Sequence, residues 1–231
     1  MVGFEIYGKH LCKDFDCYID EADTSPPAPN QVLVEIPFMQ GAYDFTNAFS
    51  ETTYPNRTLK YYVDVIGESS KDLTLKKMLL ENWLLGEKED ILTDDRLIGY
   101  YYVAKCTEIK ENDEKEYTRL EITFDAYPFK IKDCFEGNNY WDSFCFLTDY
   151  MQQTSFSVNG DLKIKLNNYG NRKANPTVIT SSDMKVKKGD VTYSFKKGTT
   201  TDYRFQLEKG ENILIISGNG SIEFRFRIGV L

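Results

Sequence analysis

The last third of the sequence alternates between apolar and polar residues in short segments, and this pattern limits what the chain can fold into. Residues 162–166, 191–195 and 222–228 place apolar side chains at every second position. A period of two is that of a β-strand with one buried face. Turn signals that contain glycine lie at 159–160, 188–190, 209–210 and 217–220. Short strands at a spacing of about ten residues predict an antiparallel β-sandwich.

The first half combines strands with one helix, which predicts an α+β domain. Apolar positions predict strands within 1–20 and at 31–36, 59–66, 99–109 and 116–126, with a proline-rich loop at 21–30. The helix is expected at 70–85, with a serine cap at its start and Gly86 at its end. We expect it to pack on the sheet through Leu75, Met78, Leu79 and Trp83.

Charge changes along the chain in a way that indicates two domains. Residues 1–135 contain 15 basic and 26 acidic residues, whereas residues 136–231 contain 13 basic and 10 acidic ones. The net charges are −11 and +3, and little periodicity is visible between 130 and 158. We therefore predict domains at 1–135 and 136–231. The acidic first domain argues against nucleic-acid binding there, because phosphate contacts need lysine and arginine.

The sequence also predicts where the protein is made. No apolar run is long enough to cross a bilayer, and residues 1–7 lack the basic start and apolar stretch of a signal peptide. We therefore expect synthesis in a cytosol and no membrane insertion. In that reducing compartment the five cysteines are expected to be free thiols: Cys12, Cys17, Cys106, Cys134 and Cys145.

The residues offer little for catalysis or metal binding. His10 is the only histidine, which removes most histidine-based metal sites and proton relays. Its spacing to Cys12 and Cys17 matches no standard zinc site. Adjacent acids such as Asp94 and Asp95 are expected by chance among 36 acidic residues, and the glycines at 218–220 indicate a hairpin turn rather than a phosphate loop. We expect no enzyme, no cofactor and no metal.

Aromatic residues of the second domain leave two interpretations open. Tyr193, Phe195, Tyr203 and Phe205 alternate with polar residues. Aromatic rings on a sandwich face can stack on sugars, and Tyr193 and Tyr203 are the candidates for such contacts. Alternatively, the four rings form the sandwich core, which needs an apolar side chain at every second position. The core interpretation is favoured.

Several motifs of the first half resemble the siphophage distal tail protein (Dit) family. They are the residues 4–10, 34–37, 41–45, 54–57, 79–84, 95–104 and 120–129. One departure is Phe38-Met39-Gln40, where the family more often shows a Gly-Arg-Asp-like turn before the glycine. Residues 167–170, 175–179 and 210–213 are similar to the family's second domain, a galectin-like or carbohydrate-module-like sandwich.

The resemblance implies a structural role in a virion. Six first domains join into a ring, single or stacked as a double ring, at the tip of a long non-contractile phage tail. Tail tube protein and tape-measure protein lie above the ring, and a tail fibre or tail-associated lysin lies below. The second domains project outward and carry receptor-binding proteins. Sheet edges of the first domain would make the ring, which would also protect those edges from aggregation.

The acidic first domain suggests how such a ring could pass DNA. Carboxylates that line the channel would repel the duplex and prevent it from being trapped. Candidates are Asp44, Glu51 and the acids of the 110–116 turn, and the alternative is that these charges only keep the outer surface soluble. A function of another class is a carbohydrate-binding module that acts at the host cell surface. Oligomeric size separates the two, because a lectin is usually monomeric or dimeric.

Overall fold

The computed structural model describes residues 2–46, 52–113, 118–137 and 151–231. The chain divides into two compact units, Met1–Pro128 and Phe129–Leu231. Both are built mainly from antiparallel strands, so the predicted mostly β fold is confirmed. The boundary lies earlier than the expected one after Phe135, because Lys130–Lys132 pairs with Gly229–Val230 at the end of the chain.

The first unit contains nine strands and two helices among its described residues. The strands are β1 (Phe4–Ile6), β2 (Lys9–His10), β3 (Tyr18–Asp23), β4 (Leu33–Glu35), β5 (Ala42–Asp44), β6 (Arg57–Val65), β7 (Asp90–Asp94), β8 (Tyr100–Asp113) and β9 (Thr118–Ala126). The helices are α1 (Leu11–Phe15) and α2 (Ser70–Leu84). Strand β7 and helix α1 lie where the sequence predicts neither.

Seven of these strands form one antiparallel sheet in the order β2-β1-β7-β8-β9-β6-β3. The end strand β3 returns to the start of the chain, because the Ile19 amide donates to the Val2 carbonyl at 3.0 Å. The sheet therefore closes on itself around an apolar core that includes Phe4, Tyr61 and Phe124.

Helix α2 begins and ends where the sequence predicts, but it buries a different face. The Ser69 hydroxyl accepts a hydrogen bond from the Asp72 amide at 3.3 Å, and Gly86 after the helix has a φ of +86°. The buried side chains are Leu80, Trp83 and Leu84. The predicted apolar face is therefore wrong except for Trp83, since the buried side lies about a third of a turn away.

The second unit contains eight strands among its described residues. They are β10 (Lys130–Lys132), β11 (Ser155–Asn168), β12 (Thr177–Thr180), β13 (Met184–Lys188), β14 (Val191–Phe195), β15 (Gly198–Thr201), β16 (Gly210–Arg225) and β17 (Gly229–Val230). Six of them form a sheet in the order β14-β13-β16-β12-β15, with β11 also paired to β16. Alternating side chains from both halves of β16 enter one apolar core, as a sandwich requires.

Two predicted turns of this unit are wrong. Strand β11 passes through Asn159-Gly160 and strand β16 passes through residues 217–220, and Gly160 lies opposite Gly218 in the register. Their φ angles are +85° and +150°. A side chain at Gly218 would also meet the Met184 Cγ at 2.9 Å. These glycines therefore allow two long paired strands to deform together instead of reversing the chain.

Candidate interaction surfaces

The β4–β5 hairpin projects from the first unit as a two-stranded sheet of its own. Its register pairs Val34 with Tyr43, and its base is closed by the Phe45 amide, which donates to the Val32 carbonyl at 2.8 Å. Every described residue from 30 to 45 is exposed. An isolated two-stranded hairpin is at best marginally stable in water. Within the described part of the chain, no other element covers either strand of this hairpin.

The hairpin has one apolar face and one mixed face. Because side chains alternate along a strand, the residues that share a face with the Val34–Tyr43 pair are also apolar. This apolar face consists of Val32, Val34, Ile36, Tyr43 and Phe45. Each of these side chains is about half exposed, between 45% and 53%. A contiguous apolar area of this kind is typical of a protein interaction site.

The tip of the hairpin presents further apolar side chains. Phe38 is fully exposed and adopts a φ of +68°, a left-handed conformation that costs a non-glycine residue about 1–2 kcal/mol. The neighbouring Met39 amide donates to the Ile36 carbonyl at 3.1 Å and closes the turn. The departure from the distal tail family at residues 38–40 therefore lies in the turn of the hairpin. An exposed aromatic ring held in a strained turn is suited to insertion into a partner.

A second apolar surface runs along the outer side of helix α2. Leu75, Met78 and Leu79 are 49%, 49% and 46% exposed and follow the i, i+3, i+4 spacing of one helical stripe. On the same exposed side lie Lys71 and Asn82. We call Leu75, Met78 and Leu79 the helix stripe. The sequence analysis predicted that these three side chains pack on the sheet, whereas the structure exposes them.

Of the two candidate channel acids, Asp44 lies among the described residues and Glu51 does not. Asp44 lies on the hairpin, on the face opposite Val34 and Tyr43. Hydrogen bonds from the Thr46 hydroxyl and from its amide, at 2.8 Å for the amide, hold the pKa of the Asp44 carboxyl below its ordinary value. Asp44 is therefore a fully exposed, ionised group. Glu51 lies outside the described residues, as do residues 114–116 of the 110–116 turn.

The aromatic candidates of the second unit separate into core and surface residues. Phe195 and Phe205 are buried in the core. Tyr193 packs edge-on against Phe205, with ring centroids 5.0 Å apart, and its hydroxyl donates to the Arg204 carbonyl at 3.1 Å. Tyr203 is 76% exposed, and the Arg204 guanidinium lies 5.9 Å from its ring centroid. Of the two tyrosines, only Tyr203 is free to stack on a ligand.

His10 has a structural role in this arrangement. It caps helix α1, and its Nδ1 accepts from the Cys12 amide at 3.1 Å, while its Nε2 lies 3.3 Å from Asp95 Oδ1. Cys17 is buried, which raises the pKa of its thiol to about 11. In the described part of the chain, no group of three or more histidine, cysteine, aspartate or glutamate side chains is arranged to hold a metal ion.

No helix of the described residues is long and apolar enough to cross a membrane.

Comparison with known proteins finds that most of the first unit is similar to a family of phage tail proteins. Residues 18–126 match the model of the phage tail protein RIFT-related domain. This match covers most of the closed sheet and includes the hairpin and helix α2. It confirms the resemblance to phage tail proteins that the sequence motifs predict.

The fold of the chain is similar to that of a known hub protein. The crystal structure of Dit (gp 19.1) from phage SPP1, described as a paradigm of the hub adsorption apparatus in phages that infect Gram-positive hosts, matches with a TM-score of 0.70 and 16% identity over 100% of both chains. A chain of the activated phage p2 baseplate matches with a TM-score of 0.46 and 10% identity over 99% of this chain and 98% of the other. A search of curated protein sequences finds no match.

Proposed function

We propose that this chain, which carries a phage tail protein domain, builds the hub ring at the tip of a long non-contractile tail, with six copies of its first unit closed around the tail axis. The observation that carries the proposal is the apolar face of the β4–β5 hairpin, which its own subunit leaves exposed. In an assembled tail, a neighbouring subunit would cover this apolar face. The SPP1 Dit fold supports the same role.

The hub position implies partners on each side of the ring. Tail tube and tape-measure proteins would bind above it, and a tail fibre or tail-associated lysin would bind below. The second unit would carry receptor-binding proteins outward. The subunits would be made in the host bacterial cytoplasm and end in the virion. Rings could be single or stacked in pairs.

The size of the purified full-length protein tests the ring. Light scattering after size exclusion should give about 161 kDa, six times the 26.8 kDa of one chain, or twice that for a stacked pair. Negative-stain electron microscopy should show six-fold rings. A protein that stays monomeric or dimeric at all concentrations would favour the carbohydrate-binding alternative over a hub.

A pair of variants tests whether the first unit makes the ring. Val34 and Ile213 are equally exposed, at 45% and 44%, but they lie in different units. We expect Val34→Glu to abolish the ring and Ile213→Glu to leave it intact. If Ile213→Glu breaks the ring while Val34→Glu leaves it unchanged, oligomerisation belongs to the second unit and the assignment of roles is wrong.

A structural role also implies that the protein lacks catalysis. The described residues combine a single capping histidine with buried thiols of raised pKa, which are poor nucleophiles. We therefore expect no hydrolysis of peptidoglycan or polysaccharide. Turnover that disappears on substitution of one carboxylate would contradict this expectation.

Sugar binding by the second unit remains the second candidate function, and the exposure of Tyr203 favours it. A purified sugar or cell-wall fragment that binds the wild type should then bind Tyr203→Ala at least tenfold more weakly. Tyr193→Phe is the control, because the Tyr193 ring packs on Phe205 and should keep its place. If both variants bind as the wild type does, the tyrosines have no part in recognition.

Channel lining by acids is a separate proposal that depends on the ring. Asp44 is exposed and ionised, which suits repulsion of a DNA duplex. A structure of the assembled ring would show whether Asp44 and Glu51 reach the bore. If lysine and arginine line the bore and the acids lie on the outer wall, the proposal is wrong.

A further inference from the structure

A ring of identical subunits in head-to-tail contact needs two different surfaces on each subunit, which complement each other. The first unit exposes two clusters of apolar side chains among its described residues, namely the hairpin and the helix stripe. Other exposed apolar residues, such as Ile98, stand apart from both clusters in the sequence. We infer that the apolar face of the hairpin of one copy docks on the helix stripe of the next copy. This inference rests on the proposed ring.

The shapes of the two surfaces suit this contact. The hairpin offers a two-stranded ribbon with five apolar side chains on one side, and the stripe offers a ridge of three side chains at helical spacing. Five side chains that are each about half exposed add up to roughly 400–500 Å² on the hairpin, about half of the ~800 Å² that one partner buries in a standard interface, so residues around the apolar face must supply the rest. Smaller surfaces would not hold a ring without additional contacts.

Charged side chains lie outside both apolar surfaces, with Glu35 and Asp44 on the hairpin face opposite Val34 and Tyr43. The hairpin segment from 24 to 46 contains Glu35 and Asp44 and no basic residue. The stripe is bordered on its exposed side by Lys71 and Asn82. Docking places an apolar centre inside a polar border, as in known interfaces.

Disulfide crosslinking of the full-length protein tests the contact directly. The double variant Val34→Cys/Leu79→Cys should give a ladder of covalent multimers under mild oxidation, read on a denaturing gel without reductant. Each single variant should run as the wild type does, which also controls for the native cysteines. Dimers from Val34→Cys alone would show a hairpin-to-hairpin contact and overturn the inference. A fast-migrating crosslinked monomer would show docking within one subunit and would also overturn it.

A second pair of variants separates this inference from the ring itself. Leu79 is 46% exposed and Ile98 is 90% exposed, so glutamate at either site should leave the subunit folded. We expect Leu79→Glu to lower the ring fraction at least tenfold and Ile98→Glu to leave it unchanged, with circular dichroism as the folding control. If the wild type forms rings and Leu79→Glu forms them equally well, the docking site is wrong and the hub function stands. If the wild type forms no rings and the double cysteine variant forms no crosslinked multimers, both are wrong.

Discussion

Trp83 is the residue at which the packing of helix α2 can be measured. Its indole is 5% exposed and stacks on Phe15 at 4.6 Å and on Phe4 at 5.7 Å between ring centroids. Its Nε1 donates a hydrogen bond to the Ile6 carbonyl at 3.1 Å. The side chain thus joins α2 to α1 and to strand β1, and its removal affects three elements at once.

The magnitude of the loss follows from these contacts. Trp83→Ala empties a large aromatic site, which costs about 3–5 kcal/mol in the free energy of unfolding. Trp83→Phe keeps part of the ring contact and removes the donor to Ile6, so we expect a loss of about 1–2 kcal/mol. Leu79→Ala on the exposed side of the same helix should cost less than about 1 kcal/mol.

The assay must report on the first unit alone, because two units need not unfold together. Proteolysis in a urea series, with mass spectrometric identification of peptides from α2 and β1, gives the unfolding midpoint of that unit. A cost below about 1 kcal/mol for Trp83→Ala would refute the packing described for the helix. An equal cost for Leu79→Ala would show that the stripe is already covered within the subunit, which would also remove the docking site.

Three further predictions concern thiols, glycines and tyrosines. Burial raises the pKa of Cys17 and Cys106 to about 11, so both thiols should resist alkylation in the folded protein at pH 8 and react after unfolding. Because the folded state holds these protons more tightly than the unfolded chain, the free energy of unfolding should also fall as the pH rises from 9.0 toward about 11. Gly218→Ala should lower the free energy of unfolding of the second unit by about 1–3 kcal/mol, because φ is +150° there; an unchanged urea midpoint would contradict the strain. Tyr193→Phe should cost about 1 kcal/mol through its lost hydrogen bond, whereas Tyr203→Ala should leave the thermal midpoint unchanged.

The bounds of helix α2 were predictable from the sequence, but its buried face was not. The cap at Ser69 and the glycine at Gly86 act locally, so a sequence pattern reports them directly. The helix carries apolar residues on two sides, one with Leu80 and Leu84 and the other with the stripe. Periodicity alone cannot say which of two apolar sides faces the core, because that depends on strands distant in the sequence.

The glycines of the second unit were misinterpreted for a related reason. A glycine beside asparagine is a strong local signal for a hairpin turn. Here Gly160 and Gly218 lie opposite each other in two strands that continue past them. Only the pairing register, which joins residues far apart in the chain, distinguishes this arrangement from two turns. The hairpin Lys188–Val191, where no such partner glycine exists in the register, was predicted correctly.

Only one of the two strands of the hairpin in the first unit was predicted. The strand at 31–36 was expected, and β4 lies within it, but its partner β5 was not identified. Alternating apolar residues normally indicate burial against the chain's own core. In this hairpin the alternating apolar residues are exposed instead. A signal was present in the sequence, since proline-rich residues 26–29 separate the segment from β3 and Gly41 suits the turn between β4 and β5.

The two faces of the hairpin connect the docking proposal with the channel proposal. If Val34 and Tyr43 pack on the neighbouring helix stripe, alternation along the strands turns Glu35 and Asp44 away from that neighbour. The same element would then hold the ring together through its apolar face and present carboxylates on its free face. Six hairpins would place at least twelve such acids around the ring, counting Glu35 and Asp44 of each copy. At 0.1 M salt, repulsion between exposed acids more than about 10 Å apart is largely screened, so the apolar contact can outweigh it. Because more salt weakens this repulsion further, the ring should become more stable as the salt concentration increases.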